Sequence, residues 1–292
     1  MTTRVYIDGT IHDEATAVVP VFDRGFLYGD SVYEVLRTAG GRPVDLDRHL
    51  ERLARSANAI LLPAPDLTSL AAALYATLAA AANPESYVRV ILTRGAGEIG
   101  LDLALAEGAR TIVLAKPLRL PPPELYERGA RVVVVDVIRT PREAVDPAVK
   151  SGNYLNNILA LAAARRAGAD EAVMKNVQGR LAEGSTSNLF VVRGGVVETP
   201  ALAEGLLPGI TRRRVLELAR ARGLPVAECP LEPSALVAAD EAFLTSSLRG
   251  VLPVTRVGDA AVGAGIPGPV TRALAAAYTE YLAAVASGAN GH

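Results

Sequence analysis

The sequence predicts an α+β protein built as two domains, and three observations carry that expectation. Strand and helix signals mix along the chain without the regular helix-joined repeat of a doubly wound parallel sheet. A proline cluster, Pro117 with Pro121, Pro122 and Pro123, interrupts the pattern. The 292 residues, half of them apolar, are ample for a buried core.

In the first half, residues 4–11 read as a strand with Asp8-Gly9 as its turn, and residues 32–38 as a second strand closed by Gly40-Gly41. Asp47 is placed to cap a helix whose apolar stripe is Leu50, Leu53, Ala57 and Leu61. Residues 66–82 form another helix, ended by Asn83-Pro84, and residues 87–94 and 111–116 are strands.

The proline cluster places a linker over residues 117–128, between a smaller N-terminal α+β domain, 1–116, and a larger C-terminal one, 129–292. The second half opens with an apolar strand, 131–138, followed by a helix over 153–167 with Gly168 as its end cap. Strands are expected at 171–175, 188–193 and 196–199, the last two around Gly194-Gly195. A helix over 211–222 ends at Gly223, a strand covers 241–245, and a closing helix covers 270–286.

Bulk chemistry narrows the function. Lysine plus arginine number 30 against 31 acids, a net charge of -1, which gives a polyanion no purchase and sets nucleic acid aside. Cys229 is the only cysteine, so no intrachain disulfide forms and a reducing cytoplasm fits. The first eight residues lack a basic region followed by an apolar stretch, so no signal peptide is expected. The longest apolar run, near residues 70–82, falls short of the roughly 20 residues a bilayer span needs. His12, His49 and His292 have no metal-ligand spacing, and no metal is expected.

Gly95, Gly97 and Gly100 form a G-x-G-x-x-G after a strand. A dinucleotide site would need a helix opening there and an acid about 20 positions later. Only a short stretch precedes the next strand, and no acid lies near Lys116, so a glycine loop is the better reading.

Four other segments carry more chemistry. Lys150 lies just before the 153–167 helix, where the helix dipole disfavours a cation and the position needs another reason. A lysine amine of lowered pKa is a nucleophile toward carbonyls. Glu183, in Glu183-Gly184-Ser185-Thr186-Ser187-Asn188, reads either as part of a polar turn or as a carboxylate aimed at a pyridine nitrogen. Leu207-Pro208-Gly209-Ile210-Thr211-Arg212 opens a helix whose free amides and dipole suit an anion. Thr245-Ser246-Ser247 offers hydroxyls and amides suited to phosphate oxygens, or an ordinary polar loop.

In this order the segments resemble the class IV aminotransferases, the fold-type IV pyridoxal-phosphate enzymes. That family includes branched-chain amino acid aminotransferases, D-amino acid aminotransferases and aminodeoxychorismate lyases, and the resemblance runs over about residues 5–257. It implies a two-domain fold like that of D-amino acid aminotransferase, with pyridoxal 5'-phosphate in the interdomain cleft. It also implies a homodimer or higher homo-oligomer acting on small amino acids and keto acids, with no nucleic acid or membrane partner.

Carried over by residue, Lys150 resembles the catalytic lysine that holds the cofactor and shuttles the proton between the substrate α-carbon and the cofactor C4′. Glu183 resembles the pyridine-nitrogen partner. Tyr154 resembles the tyrosine on the phenolic oxygen, although it stands four residues from the lysine where some branched-chain enzymes have five. Arg52 matches the phosphate arginine; on residue pattern alone, Arg48, Arg52 and Arg55 read equally as a solvated helix face. Ile210, Thr211, Ser246 and Ser247 would bind the phosphate, and Leu207 would lie against the ring.

For the substrate, Tyr28 and Tyr33 fall in a stretch, 26–34, that resembles the N-terminal pocket motif. Tyr87 and Arg89 resemble the tyrosine-x-arginine pair that holds the substrate carboxylate, arginine giving a planar two-pronged donor. The loop 95–100 has neither the arginine nor the histidine common there in D-amino acid enzymes, which favours branched-chain L-amino acids with 2-oxoglutarate. Gly184-Ser185-Thr186-Ser187 leans away from the best-known branched-chain enzymes. D-amino acid or (R)-amine transamination and aminodeoxychorismate lysis therefore stay open, with a NAD-binding oxidoreductase as a distant alternative.

Overall fold

The computed structural model describes residues 2–289; His292, one of the three histidines, lies outside the described residues. The described chain falls into two compact units, one of residues 2–119, 149–153 and 282–289, the other of residues 120–148 and 154–281. The short stretch holding Lys150 and residues 282–289 thus group with the N-terminal residues, not with the C-terminal part where the sequence order puts them.

In the first unit, β1 (Arg4–Ile7) turns through Asp8 and Gly9, both at positive φ, into β2 (Thr10–Asp13). Positive φ at both central residues is what a tight hairpin demands, so the expected single strand is a two-stranded hairpin. Next come α1 (Arg24–Tyr28), β3 (Ser31–Ala39), β4 (Arg42–Pro43), α2 (Leu46–Ala59), α3 (Leu67–Ala81), β5 (Ser86–Thr93) and β6 (Arg110–Pro117). The strands form one sheet in the order β2-β1-β6-β5-β3-β4, antiparallel throughout.

Alternation along β3 and β5 splits this sheet into two faces. Val32, Leu36, Val88, Val90 and Leu92 pack with Leu50, Leu53, Leu70 and Leu74 of α2 and α3. Tyr33, Tyr87 and Arg89 fall on the other face, since Arg89 pairs with Val35 and Tyr87 with Arg37. Helix α2 begins two residues earlier than expected: Asp45 is its N-cap, Asp47 lies in its first turn, and Leu46 is buried. Leu61, expected in its stripe, lies past the helix end at positive φ and is exposed.

The second unit opens with α4 (Pro123–Arg128), a helix inside the stretch read as linker. Pro123 sits at a first-turn position whose amide has no partner within the helix, so proline starts this helix instead of breaking it. Then follow β7 (Ala130–Val134), α5 (Leu155–Arg166), β8 (Glu171–Lys175), β9 (Leu181–Gly184), β10 (Asn188–Arg193), β11 (Val196–Pro200), α6 (Ile210–Ala221), β12 (Val226–Cys229), α7 (Pro233–Val237), β13 (Glu241–Ser246), β14 (Gly250–Val257), β15 (Ala260–Ala261) and α8 (Pro269–Ser287). The strands build a nine-stranded sheet, β12-β11-β10-β13-β14-β7-β8-β9 with β15 on β14. Pairing is mixed, with β11–β12, β14–β7 and β7–β8 parallel.

Both faces of its middle strands are buried. Leu189, Val191, Leu244 and Leu252 pack with Leu231 and Leu236, while Phe190 and Phe243 stack on the opposite face with centroids 4.7 Å apart. No described helix is long and apolar enough to cross a membrane.

Candidate active site

Lys150 is fixed by its backbone in the first unit. The 149–153 stretch lies antiparallel against the start of β3, with Ser151 bridged to Val32. The Lys150 carbonyl accepts from Tyr33 N at 2.9 Å, and its amide donates to Ser56 Oγ of α2 at 3.2 Å. Close approach needs glycine at 152, because a Cβ there would lie 2.2 Å from Ser31 Oγ.

Three residues singled out by sequence meet at this point. Lys150 Nζ lies 4.5 Å from the centroid of the Tyr33 ring, and Arg89 Cζ lies 4.0 Å from the same centroid. Tyr33 is buried, and the electron-rich ring faces two cations. Arg89 Nε is itself buried and has no hydrogen-bond partner among the described residues. That donor is open to a ligand acceptor, and it lies beside the Lys150 amine on the same ring. Tyr87 on the same sheet face carries Lys116 Nζ 4.9 Å from its ring centroid.

Tyr28 has a different occupation. Its hydroxyl accepts from Gly100 N at 3.1 Å, while Arg24 Nη1 donates to the Gly100 carbonyl at 2.9 Å. Arg94 pairs with Asp30 through Nε to Oδ2 at 2.6 Å and Nη2 to Oδ1 at 3.0 Å. Tyr28 therefore fastens the 95–100 loop. No helix opens at that loop, and Gly95 and Gly97 serve close backbone approach to Gly108 and Leu105. The dinucleotide reading has no helix terminus to stand on.

Arg52 lies on the helix-packed side of the sheet, one turn before Ser56 in α2. Its Nε and Nη2 donate to Glu34 Oε1 and Oε2 at 2.6 and 2.7 Å, and His49 Nδ1 lies 2.6 Å from Oε2. Arg52 is 4% exposed, so the solvated-face reading of this arginine is wrong. Burial alone would push the Glu34 carboxyl up; the charge and hydrogen bonds of Arg52 and His49 outweigh it and bring it down to about 2.

The second unit holds the other candidates. Glu183 lies in β9, one residue from its end, and is 5% exposed. Its Oε1 accepts from Arg139 Nε at 2.8 Å; its Oε2 accepts from Leu207 N at 3.1 Å and Asn188 Nδ2 at 3.2 Å. The same Asn188 nitrogen donates to the Leu207 carbonyl at 2.9 Å. Leu207 and Glu183 are thereby tied together, and Asn188 also fixes the start of α6: a Cβ on Gly209 would sit 1.9 Å from Asn188 Oδ1.

Helix α6 has Gly209 as its N-cap and no side chain capping it, with Ile210 and Thr211 buried in its first turn. Its leading amides thus lie beside Asn188, as an anion site requires. Across β10 and β13, Asn188 pairs with Thr245, so the two side chains share a face. Thr245 Oγ1 is buried and without a hydrogen-bond partner among the described residues, as is Ser187 Oγ. Ser246 ends β13 and Ser247 begins the following turn, and Ser246 Oγ accepts from the Arg249 amide at 3.3 Å. Tyr154 occupies the N-cap position of α5 and is half-buried.

The sequence does not mark Arg139 or Arg249 as site residues, whereas Asn188 and Thr245 lie in segments it singles out, without a role of their own.

The amino-transferase class IV family model matches residues 31–257. A putative branched-chain-amino-acid aminotransferase of Methanocaldococcus jannaschii is 37% identical over 273 residues, covering 93% of each chain. A D-alanine aminotransferase of Bacillus licheniformis is 32% identical, over 92% of this chain and 93% of its own. Among solved structures, a branched-chain amino acid aminotransferase from T.th., crystallised with pyridoxamine 5'-phosphate, superposes with a TM-score of 0.92 at 29% identity, over 97% of this chain and 94% of that one.

Proposed function

The chain belongs to the class IV aminotransferases, and from that premise we propose that it holds pyridoxal 5'-phosphate on Lys150 and transfers amino groups between branched-chain L-amino acids and 2-oxoglutarate by a ping-pong reaction. The observation that carries the reading is the group around Tyr33: an amine and an unpaired guanidinium donor on one ring.

The residues present fit the cofactor. Glu183 is a buried carboxylate with cation and amide partners, suited to a protonated ring nitrogen. The α6 amides and the unpartnered Thr245 hydroxyl suit phosphate oxygens. When bound, pyridoxal 5'-phosphate supplies an aldehyde for amine capture and a ring that draws electrons from the substrate α-carbon.

The chain's own groups would do the rest. Lys150 Nζ, once displaced from the aldehyde by the substrate amine, would be free to take the proton from the substrate α-carbon and carry it within the site. Glu183 would keep the ring nitrogen protonated, and Tyr154 would donate to the phenolic oxygen. Arg52, Ile210, Thr211, Ser246 and Ser247 would hold the phosphate, with Leu207 against the ring. Arg89, beside Tyr87 and Tyr33, would bind the substrate carboxylate through its planar fork. Tyr28 would act through the loop it fastens.

The 32% identity to a D-alanine aminotransferase favours a second reading, D-amino acid transamination, on the same machinery. The absence of arginine and histidine from the 95–100 loop supports the L-branched-chain assignment over it. A cytoplasmic homodimer completes the proposal. Exposed Val18, Val21, Phe22, Phe26, Ile99 and Leu101 give the first unit apolar surface for a second copy.

A substrate panel on cofactor-loaded protein tests the assignment: L-leucine, D-alanine, an (R)-amine and aminodeoxychorismate side by side. Turnover of L-leucine with 2-oxoglutarate is expected; an inert L-leucine with active D-alanine reverses the stereochemical choice. Borohydride reduction and peptide mapping test the attachment, and an unmodified Lys150 in active protein ends the whole reading.

A further inference from the structure

We propose that Arg249 is a positioning residue that sets the affinity for the cofactor's phosphate by clamping together the two turns that carry hydroxyls. The inference rests on the cofactor reading above.

Arg249 lies in the turn between β13 and β14. Its Nη2 donates to Glu171 Oε2 and to Thr186 Oγ1, each at 2.8 Å, and its Nε reaches Ser246 Oγ at 3.4 Å. Its carbonyl accepts from Tyr126 Oη at 3.0 Å, which fixes the backbone of the turn. Glu171 is 1% exposed and serves the other turn as well: Ser185 donates to its Oε1 from the amide at 3.2 Å and also from the hydroxyl. The ion pair therefore joins the 185–187 turn to the 246–249 turn.

These are the turns flanking the Asn188–Thr245 strand pair. Ser187 and Thr245 each bring a buried hydroxyl with no partner among the described residues, and the uncapped start of α6 lies against Asn188. The unpaired Thr245 hydroxyl shares a face with Asn188, against which the uncapped α6 amides lie, and together they call for an acceptor of several bonds, which a phosphate monoester is. Their spacing depends on the registry of the two turns, and the Arg249 fork holds that registry against a carboxylate that is itself buried. A lysine would supply the charge at one point only.

The test compares two ligands that differ only in the phosphate. Apoenzyme, wild type and R249A, is titrated with pyridoxal 5'-phosphate and with pyridoxal, following the absorbance of the bound aldehyde. Loss of charge-assisted bonds is expected to weaken pyridoxal 5'-phosphate by about tenfold or more while pyridoxal changes by less than about twofold. Equal losses for both ligands, which a merely structural role would give, or no loss for either, overturn the clamp. R249K, which retains the charge, decides the same comparison if R249A does not fold. A wild type that takes up neither aldehyde overturns the cofactor reading and the clamp with it, whereas uptake of both with equal losses in the variants overturns the clamp alone.

Discussion

Glu34 and Arg52 form a two-pronged ion pair between β3 and α2, at 2.6 and 2.7 Å, with His49 on the same carboxylate. Glu34 is fully buried, and the pair joins the sheet to the helix that also anchors Lys150 through Ser56. Its carboxyl titrates lower in the folded protein than in the unfolded chain, falling to about 2 from 4.5. The stability it contributes is therefore complete above pH 4.5 and is lost as pH falls toward 2. Replacing Glu34 by Gln leaves Arg52 buried without its counter-charge and is expected to cost about 3–5 kcal/mol. Urea unfolding at neutral pH measures that cost. The acid-unfolding profile of the variant should lack the wild-type loss between pH 4.5 and 2, and an unchanged profile contradicts the assignment.

Arg139 holds the Glu183 carboxylate at 2.8 Å. On the proposed reading Glu183 meets the ring nitrogen, so R139M strips the carboxylate of this cation while the neutral donors Asn188 and the Leu207 amide stay. Losing a charged hydrogen bond of about 1.5–3 kcal/mol predicts roughly a 10- to 100-fold fall in kcat. The KM for the amino acid should stay near wild type, because Arg139 would not touch it. Steady-state kinetics with full cofactor loading separate the two, and a change confined to KM contradicts this role.

Gly209 is the start of α6 and leaves no room for a methyl group against Asn188. G209A must push Asn188 or the helix start aside, disturbing the bonds Asn188 makes to Glu183 and Leu207. The expected result is weaker binding of pyridoxal 5'-phosphate together with lower thermal stability, read by cofactor titration and calorimetry. Wild-type values for both would show that the gap at this position closes without cost.

Long periodic or alternating stretches are legible in the sequence. Helix α3 and strand β5 follow their signals to within a residue, as capping by Asp66 and alternation from Ser86 allow. Strand β14 escapes the pattern because Pro253 lies in its middle, yet it is a central strand paired to β13 and β7. Helix α4 is hidden by the prolines that begin it. The same limit applies to the candidate site. Lys150, Glu183 and the α6 start sit in motifs that can be read locally. The partners that orient them do not: Arg139 lies 44 residues from Glu183, and Arg249 lies 78 from Glu171. Such pairs are made by sheet order, which no local pattern encodes.

Arg89 offers the sharpest substrate test. Its guanidinium stacks on Tyr33 and its buried Nε has no partner among the described residues. If that donor meets the substrate carboxylate, R89M removes a charge-assisted contact made before and during the reaction. The KM for L-leucine is then expected to rise by roughly 10- to 100-fold, with a smaller change in kcat. An amine without a carboxylate provides the control, since it cannot use the contact and should react with wild-type and variant enzyme alike. Wild-type kinetics for L-leucine in R89M, or equal losses for both substrates, would move carboxylate recognition away from this arginine.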